Sequence, residues 1–162
     1  MSVKVVFDLD GTIYDLYNQK DWLYRLENEV AGVFDQPECC IVDIKKLTDK
    51  IMSMIEKGFQ FAIISWLPFG ASPEYEEICR EEKACWIWEN LPMITEVSLI
   101  PYGIEKQKAI QKKAQHMILI DDNKEVCNVW ETATQRKAFT VGKCYTVLNV
   151  LDDIELRYEG CL

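Results

Sequence analysis

Short runs dominated by apolar residues recur along the chain, and longer amphipathic segments separate them. The runs are rich in β-branched and aromatic residues, which is typical of strands buried on both faces of a sheet. Turn-forming or charged residues follow each run. The pattern predicts strands over residues 3–7, 59–64, 96–100 and 117–120, and a weaker strand over residues 137–141.

The amphipathic segments predict helices between these strands. The clearest covers residues 42–57, where Ile44, Leu47, Ile51 and Met54 form one apolar stripe. Lysines and acidic residues occupy the other faces, and a glycine follows where a helix commonly ends. Further helices are predicted over residues 18–34, 72–89, 104–115, 124–135 and 144–158.

Strands that alternate with helices indicate an α/β protein whose parallel sheet is covered on both faces. The order of elements predicts a Rossmann-like three-layer sandwich around a central, mainly parallel, five-stranded sheet. No repeat or linker divides the 162 residues, so we expect a single domain over residues 1–162. Sheets of this kind bind ligands beyond the carboxyl ends of their strands, at the point where the winding reverses.

Polar side chains directly follow three of the predicted strands. They are Asp8 and Asp10 after the first strand, Ser65 after the second, and Asp121 and Asp122 after the fourth. Because parallel strands end at the same edge of a sheet, we expect these groups to gather there. Lys106 joins them if the helix after the third strand begins near residue 104.

Four carboxylates at one rim of a sheet repel one another, which raises their pKa values and costs stability. The set contains no histidine or cysteine, so all of its ligand atoms are hard oxygens, which suit Mg²⁺. A bound Mg²⁺, together with the charge of Lys106, would offset the repulsion among these carboxylates. It would also leave an open position for a phosphate oxygen, so Mg²⁺ is the expected cofactor.

Separate chemical roles follow from these residue types. A carboxylate at Asp8 can attack phosphorus in line and form an aspartyl-phosphate. Asp10 lies near the leaving oxygen and can protonate it, then deprotonate the hydrolytic water. Ser65 and Lys106 offer a hydroxyl donor and a fixed positive charge to the equatorial oxygens, while the later aspartate pair holds the metal. Trp66 follows Ser65 at the same rim and is a candidate for substrate contact.

Four segments resemble, in the same order, the four motifs of the haloacid dehalogenase (HAD) superfamily. Residues 5–12, Val-Val-Phe-Asp-Leu-Asp-Gly-Thr, are similar to the first motif, an apolar strand followed by D-x-D-x-T. Residues 63–65, Ile-Ile-Ser, are similar to the second. Lys106 stands where the third-motif lysine is expected, with Lys108 as a competing choice. Residues 118–122, Ile-Leu-Ile-Asp-Asp, resemble the "DD" form of the fourth motif, so the resemblance covers most of the chain.

The resemblance implies a metal-dependent catalytic site. Asp8 would be the nucleophile and a metal ligand, and Asp10 would be the acid–base residue and a metal ligand through its backbone carbonyl. One or both of Asp121 and Asp122 would complete the metal site. The first and fourth strands would lie side by side at the centre of the sheet, which brings their aspartates together.

The same resemblance implies phosphate-binding groups and a reaction. Ser65 and Lys106 would bind the phosphate, and Thr12 would support the loop beside it. Dehalogenases of the superfamily lack an aspartate at the position of Asp10, and its transport ATPases have threonine there. The expected activity is therefore a phosphatase acting on a small phosphorylated molecule. A phosphotransferase or mutase with the same nucleophile, or a non-catalytic phosphate-binding relative, is the alternative.

Two helices are predicted between the first two strands, where a crossover needs only one. The extra segment, over residues 14–36, is predicted to form a small helical cap, which is much smaller than the caps of many relatives. A small cap implies an open site and a bulky or macromolecular substrate, unless a partner closes it. Some relatives of this shape are 5′-nucleotidases, which is an analogy at the level of the fold.

Charge and composition narrow the class of partner. The formal net charge of −9 argues against a nucleic-acid backbone or an anionic membrane as the main partner. No apolar run is long enough to span a membrane, and the N-terminal residues do not resemble a signal peptide. The 7 cysteines show no metal-binding spacing, so we expect free, mostly buried thiols in a reducing, cytoplasmic environment.

Overall fold

The computed structural model describes residues 2–158, and these form one five-stranded sheet with helices packed against it. The strands are β1 Val3–Phe7, β2 Gln60–Trp66, β3 Glu96–Ile100, β4 His116–Asp121 and β5 Ala138–Thr140. The helices are α1 Trp22–Glu27, α2 Ile44–Glu56, α3 Pro73–Asn90, α4 Lys124–Thr134 and α5 Val147–Tyr158. Two short 3₁₀ helices, Leu16–Asn18 and Lys106–Ala109, precede α1 and β4.

The strands lie in the order β3-β2-β1-β4-β5, and all neighbouring pairs are parallel. The predicted α/β class and the five-stranded sheet are therefore confirmed, and the sheet is wholly rather than mainly parallel. The chain winds outward from β1 through β2 to β3 and then crosses to β4 and β5 on the other side. The winding thus reverses between β1 and β4, at the centre of the sheet.

The strand β1 shows why the apolar runs of this chain form central strands. All five of its residues are buried, and they alternate between two apolar layers. Val3, Val5 and Phe7 belong to the core that α2, α3 and α5 cover, whereas Val6 packs with residues of α4 on the opposite face. Burial on both faces favours apolar residues and gives the three-layer arrangement. The one charged residue of β1, Lys4, is buried with its ammonium group paired with Glu96.

Helices α2 and α3 begin close to their predicted starts because capping side chains fix their first turns. The carboxylate of Asp43 accepts a hydrogen bond from the backbone N–H of Lys46 at 3.1 Å. The hydroxyl of Ser72 likewise accepts from the backbone N–H of Tyr75 at 3.2 Å, and Pro73 occupies the first turn of α3. Satisfied N–H groups at a helix start stabilise that boundary.

The helix predicted over residues 18–34 is wrong for most of its length. Only the six residues of α1 are α-helical there. Asp21 and Glu29, at φ 58° and 53°, lie in the left-handed region, which interrupts a right-handed helix. Beyond α1 the backbone turns toward α3, where the carboxylate of Glu82 accepts hydrogen bonds from the N–H groups of Gly32 and Phe34. The predicted helical cap is thus mostly an irregular segment.

The helix predicted over residues 104–115 is also wrong. It is reduced to the 3₁₀ helix Lys106–Ala109, after which Ile110 is extended. Ile110 and Ala114 pack into the core on the α4 side of the sheet. His116, predicted at a helix end, begins β4 instead, and its ring lies in tilted contact with the ring of Tyr158.

The described cysteines are free, as predicted, but most of them are not buried. Cys79 and Cys127 are buried, Cys39 and Cys40 are half-buried, and two others are exposed. Cys161 lies outside the described residues.

Among residues 2–158, no helix combines the length and the apolar character that a membrane crossing requires.

Candidate active site

The loop after β1 and the end of β4 meet at the point where the winding of the sheet reverses. The backbone N–H of Asp8 donates a hydrogen bond to the carbonyl oxygen of Ile120 at 2.9 Å, which joins the two strand ends. Asp121 is the last residue of β4, and Asp122 follows it directly. The aspartates of the two segments therefore come together because β1 and β4 are neighbours in the sheet.

Three carboxylates form a compact group at this edge. Asp8, Asp121 and Asp122, called here the three-carboxylate cluster, each offer an oxygen, and these atoms lie within 4.8 Å of one another. Carboxylate oxygens at such separations match the hard, oxygen-only donor set that Mg²⁺ prefers. The side chain of Asp10 belongs to a different set of contacts, so its predicted contribution through the backbone carbonyl stays a prediction.

Lys106 supplies the positive charge closest to this cluster. Its ammonium group is 2.5 Å from Oδ1 of Asp8 and 2.7 Å from Oδ2 of Asp121, and the residue is only 3% exposed. Burial lowers the pKa of Lys106, but the two carboxylates outweigh it, so the net shift is upward and the group stays charged. Lys108 is largely exposed and pairs with Glu105 at 3.3 Å. The geometry therefore selects Lys106 over Lys108.

The cluster carries more negative charge than one lysine offsets. Burial, followed by the charge of Asp8, raises the pKa of Asp121 to about 6. Burial and the charges of Asp8 and Asp121 raise the pKa of Asp122 to about 7. Carboxylates that resist ionisation because of burial and neighbouring negative charge are stabilised in the charged form by a cation. The residues present thus fit a divalent metal ion.

The raised pKa values predict how the stabilisation by Mg²⁺ changes with pH. Because the folded-state pKa values of Asp121 and Asp122 lie above the ordinary 3.8, the metal-free protein should lose stability as pH rises from about 4 to 7. A bound Mg²⁺ would contact the ionised carboxylates, so its stabilising effect should grow over that window. Thermal unfolding with saturating Mg²⁺ should shift upward by about 5 to 10 °C at pH 8 and much less at pH 5.

The control for this prediction is the variant Asp122→Asn, with ionic strength matched by NaCl. It should lose most of the Mg²⁺ effect at pH 8. An equal shift in the variant, or a shift at pH 5 as large as at pH 8, would contradict the assignment of the three-carboxylate cluster as the metal site.

The tight turn after β1 depends on Gly11 and Thr12. The hydroxyl of Thr12 donates to Oδ2 of Asp8 at 3.2 Å and accepts from the backbone N–H of Asp122 at 3.0 Å. Gly11 has φ 78°, and a Cβ at that position would collide with the carboxylate of Asp122 and the ring of Tyr17. Thr12 therefore links Asp8 to Asp122, and the absence of a side chain at Gly11 leaves room for the carboxylate of Asp122.

We expect Gly11→Ala to reduce activity by about 100-fold or more, because the new methyl group displaces Asp122 from the cluster. The matched control is Gly70→Ala, which has a similar φ of 69° but no atom within 4 Å of the added Cβ. Both variants place alanine at a positive φ and so share a similar backbone strain. Only Gly11→Ala adds a steric clash. Steady-state kinetics and thermal unfolding of the pair would check this, and equal activity in both would contradict it.

Asp10 lies beside the three-carboxylate cluster, but its side chain contacts a different set of charged and polar groups. Its carboxylate pairs with the ammonium group of Lys83, and its Oδ2 is 3.5 Å from the hydroxyl of Ser65. Its Oδ1 is buried without a hydrogen-bond partner. Burial raises the pKa of Asp10 even though Lys83 opposes the shift. A carboxyl group whose pKa is raised holds its proton more readily than a free aspartic acid does, which suits a general acid.

Lys83 is the site residue that the sequence interpretation missed. It is fully buried on α3, with its Nζ 3.0 Å from Oγ of Ser65 and 2.6 Å from the carbonyl oxygen of Trp66. The same ammonium group lies 4.3 Å from the ring centroid of Phe34. Lys83 therefore fixes Asp10 and the end of β2 relative to each other.

The sequence did contain a signal for Lys83. It lies in an acidic stretch of α3 that looks solvent-exposed, but its position continues the buried stripe of Tyr75, Cys79 and Trp86. These residues are spaced by three or four positions, so they share one face of the helix. A lysine in such a stripe is buried only when it has a partner, which in this fold is the carboxylate of Asp10.

A cavity of about 620 Å³ opens over these groups. Of the eight residues proposed from sequence, Asp8, Asp10, Trp66, Lys106, Asp121 and Asp122 line it. Thr12 and Ser65 are instead buried behind its wall, where they support the charged groups. The remaining wall contains apolar side chains, among which Trp22, Phe69 and Tyr102 were not proposed from sequence. The structure thus brings all eight residues to one region.

No protein-family model matches the chain, and no curated protein matches it at a significant level.

Proposed function

We propose that the chain is a HAD-type phosphatase, which uses Mg²⁺ as cofactor and Asp8 as the nucleophile to hydrolyse a phosphate monoester of a small molecule. The observation that carries the proposal is the environment of Asp8. Its carboxylate is 2.5 Å from buried Lys106 and belongs to the three-carboxylate cluster at the winding reversal. Lys106 supplies positive charge beside the nucleophile, and a Mg²⁺ ion held by the cluster would add more, so that an anionic phosphate could approach Asp8.

In this proposal Asp8 attacks the phosphorus atom and the ester oxygen leaves. A covalent aspartyl-phosphate forms as the bond to the leaving oxygen breaks. Thr12 and Lys106 each bind one carboxylate oxygen of Asp8, at 3.2 and 2.5 Å, and so restrict the direction of attack. Water then hydrolyses the aspartyl-phosphate and regenerates the free carboxylate.

Asp10 moves the protons for both steps. Its buried carboxyl group, with a raised pKa, can donate a proton to the leaving oxygen in the first step. The resulting carboxylate, held by Lys83, can then accept a proton from the water that attacks the aspartyl-phosphate. Two carboxylates separated by one residue thus serve different roles because their surroundings differ.

Positive charge for the phosphoryl group comes from two buried lysines. Lys106 and Lys83 both line the cavity, where Lys106 pairs with Asp8 and Lys83 pairs with Asp10. Asp8, Asp121 and Asp122 would hold Mg²⁺, and the bound ion would neutralise charge on the phosphoryl oxygens. Ser65 orients Lys83 and Asp10, and its predicted direct contact with phosphate stays a prediction.

Phosphate release from a panel of monoesters tests the proposal. With Mg²⁺ present, we expect Mg²⁺-dependent release of inorganic phosphate from at least one ester and none from a diester of the same alcohol. Chelation by EDTA should abolish the activity and added Mg²⁺ should restore it, since the carboxylate cluster alone repels phosphate. Activity that persists after exhaustive chelation would contradict the metal assignment. The absence of release from every monoester would contradict the proposed function.

A further inference from the structure

Three aromatic side chains, called here the aromatic wall, contact one another in tilted and edge-to-face pairs beside the catalytic groups. They are Trp66, Tyr102 and Phe69. The ring centroids of Trp66 and Tyr102 are 4.8 Å apart, and those of Tyr102 and Phe69 are 5.3 Å apart. Phe69 is 82% exposed and Tyr102 is 54% exposed. Exposed aromatic rings that contact one another form an apolar patch, and such patches commonly mark binding sites.

The inner end of the aromatic wall is fixed next to the nucleophile. The indole N–H of Trp66 donates to the carbonyl oxygen of Ile104 at 2.8 Å, which orients the ring. The ammonium group of Lys106 lies 5.3 Å from the centroid of that ring and 2.5 Å from Asp8. A group attached to a phosphoryl group at Asp8 would therefore extend along the wall, starting at Trp66.

The charges lining the cavity restrict what that group can be. Among the described residues that line it, the only basic ones are Lys83 and Lys106, and both are already paired with catalytic aspartates. The outer part contributes the acidic residue Glu27. A second phosphate or a carboxylate on the leaving group would thus meet no basic partner there and would be repelled.

We propose that the leaving group of the substrate is a flat, uncharged aromatic ring system that stacks on the aromatic wall, so that the ligand is a small monophosphate. This inference rests on the proposed function for the identity of the reaction and on the wall for the identity of the ring. A cavity of about 620 Å³ has the size of sites that enclose small molecules. Rings favour offset or tilted contact with other rings, which an alicyclic group of similar size cannot reproduce.

Binding of phosphonates, which cannot be hydrolysed, tests the inference separately from catalysis. Isothermal titration calorimetry in the presence of Mg²⁺ would compare benzylphosphonate with cyclohexylmethylphosphonate. The saturated ring is the more apolar of the two, so a preference for the benzyl compound cannot come from simple burial. We expect benzylphosphonate to bind about five- to tenfold more tightly. A 4-carboxybenzylphosphonate should bind more weakly than its neutral 4-carboxamide counterpart.

Variants identify the surface that is responsible. A naphthylmethylphosphonate should bind more tightly than methylphosphonate, and Tyr102→Ala and Phe69→Ala should each reduce that ratio about threefold or more while leaving methylphosphonate binding unchanged. The matched control is Trp88→Ala, which removes an aromatic ring that is 72% exposed and does not line the cavity. Equal affinity for benzyl and cyclohexylmethyl compounds, no binding of either, or an unchanged ratio in both wall variants would overturn the inference.

Hydrolysis of the corresponding phosphate esters separates the two proposals. Equal turnover of benzyl and cyclohexylmethyl phosphates, with equal phosphonate affinities, would leave the phosphatase proposal intact and overturn the aromatic-wall inference. Selective binding of the aromatic phosphonates without turnover of any ester would overturn the phosphatase proposal and support the wall as a binding surface.

Discussion

Replacing Asp8 with asparagine is expected to reduce phosphate release by at least about 10⁴-fold, because the amide cannot form the covalent intermediate. The change keeps the size of the side chain and one acceptor oxygen for Lys106 or Thr12. It also removes a charge that raises the pKa values of Asp121 and Asp122. Loss of activity should therefore occur without loss of the fold, as thermal unfolding of the metal-free variant would show.

The matched control for Asp8→Asn is Asp49→Asn. Asp49 lies on the exposed side of α2, where it pairs with Lys45 at 2.7 Å and with 64% of its side-chain surface exposed. An exposed pair of this kind contributes little to stability, so activity and unfolding should match the unmodified protein. A variant Asp8→Asn that retains more than a few per cent of the activity would contradict the assignment of the nucleophile.

Replacing Asp10 with asparagine is the second change expected to have a large effect, about 10²- to 10⁴-fold on the hydrolysis of an alkyl phosphate. Alkoxide leaving groups are strongly basic and need the proton that the proposed mechanism assigns to Asp10, whereas 4-nitrophenolate does not. Formation of the aspartyl-phosphate from 4-nitrophenyl phosphate should therefore be affected much less. Rapid-quench measurement of alcohol release in the first turnover compares the two esters. An equal loss for both would contradict the role of Asp10 as the acid.

The removal of Asp10 also leaves Lys83 buried without its anionic partner, so a loss of stability could imitate a loss of catalysis. The double variant Asp10→Asn/Lys83→Met removes both charges and should recover stability, since unpaired buried charge is the cost of the single change. Activity should stay low in the double variant. Recovery of activity together with stability would show that the single variant failed through its fold.

The sheet and the positions of most site residues could be predicted because they depend on local pattern. A run such as Val3–Phe7 is buried on both faces, and the aspartate after it must emerge at the carboxyl edge of the sheet. The same reasoning applies to Asp121 after β4. Neighbouring parallel strands then bring such residues together without further information.

The segment before α2 and the residues after β3 could not be predicted, because tertiary contacts override local pattern there. Amphipathic spacing over residues 18–34 suggests a helix, yet Glu82 binds two backbone N–H groups of that segment from α3. Residues 104–115 likewise do not form the predicted helix, because Lys106 contacts Asp8 and Ile110 packs into the core. Contacts between residues 50 or more positions apart, such as Gly32 with Glu82, cannot be detected from the pattern of a short stretch of sequence.

Lys83 illustrates a limit of motif reasoning. The motif comparison assigns one lysine to the site, and Lys106 satisfies it, so a second lysine on α3 is not sought. Its burial depends on a carboxylate that is 73 positions away in the chain. Only the combination of its place in the apolar stripe with the unpaired charge of Asp10 would have identified it from sequence.

The most direct measurement of the central claim is the detection of a phosphoryl group on Asp8. Asp10→Asn protein would be mixed with 4-nitrophenyl phosphate and Mg²⁺ and quenched in acid, where acyl phosphates persist. Intact mass and peptide mapping would follow. The account predicts a mass increase of one phosphoryl group that maps to Asp8, accumulates because its hydrolysis is slowed, and is absent from Asp8→Asn. Phosphate release without any such adduct, or an adduct on another residue, would contradict it.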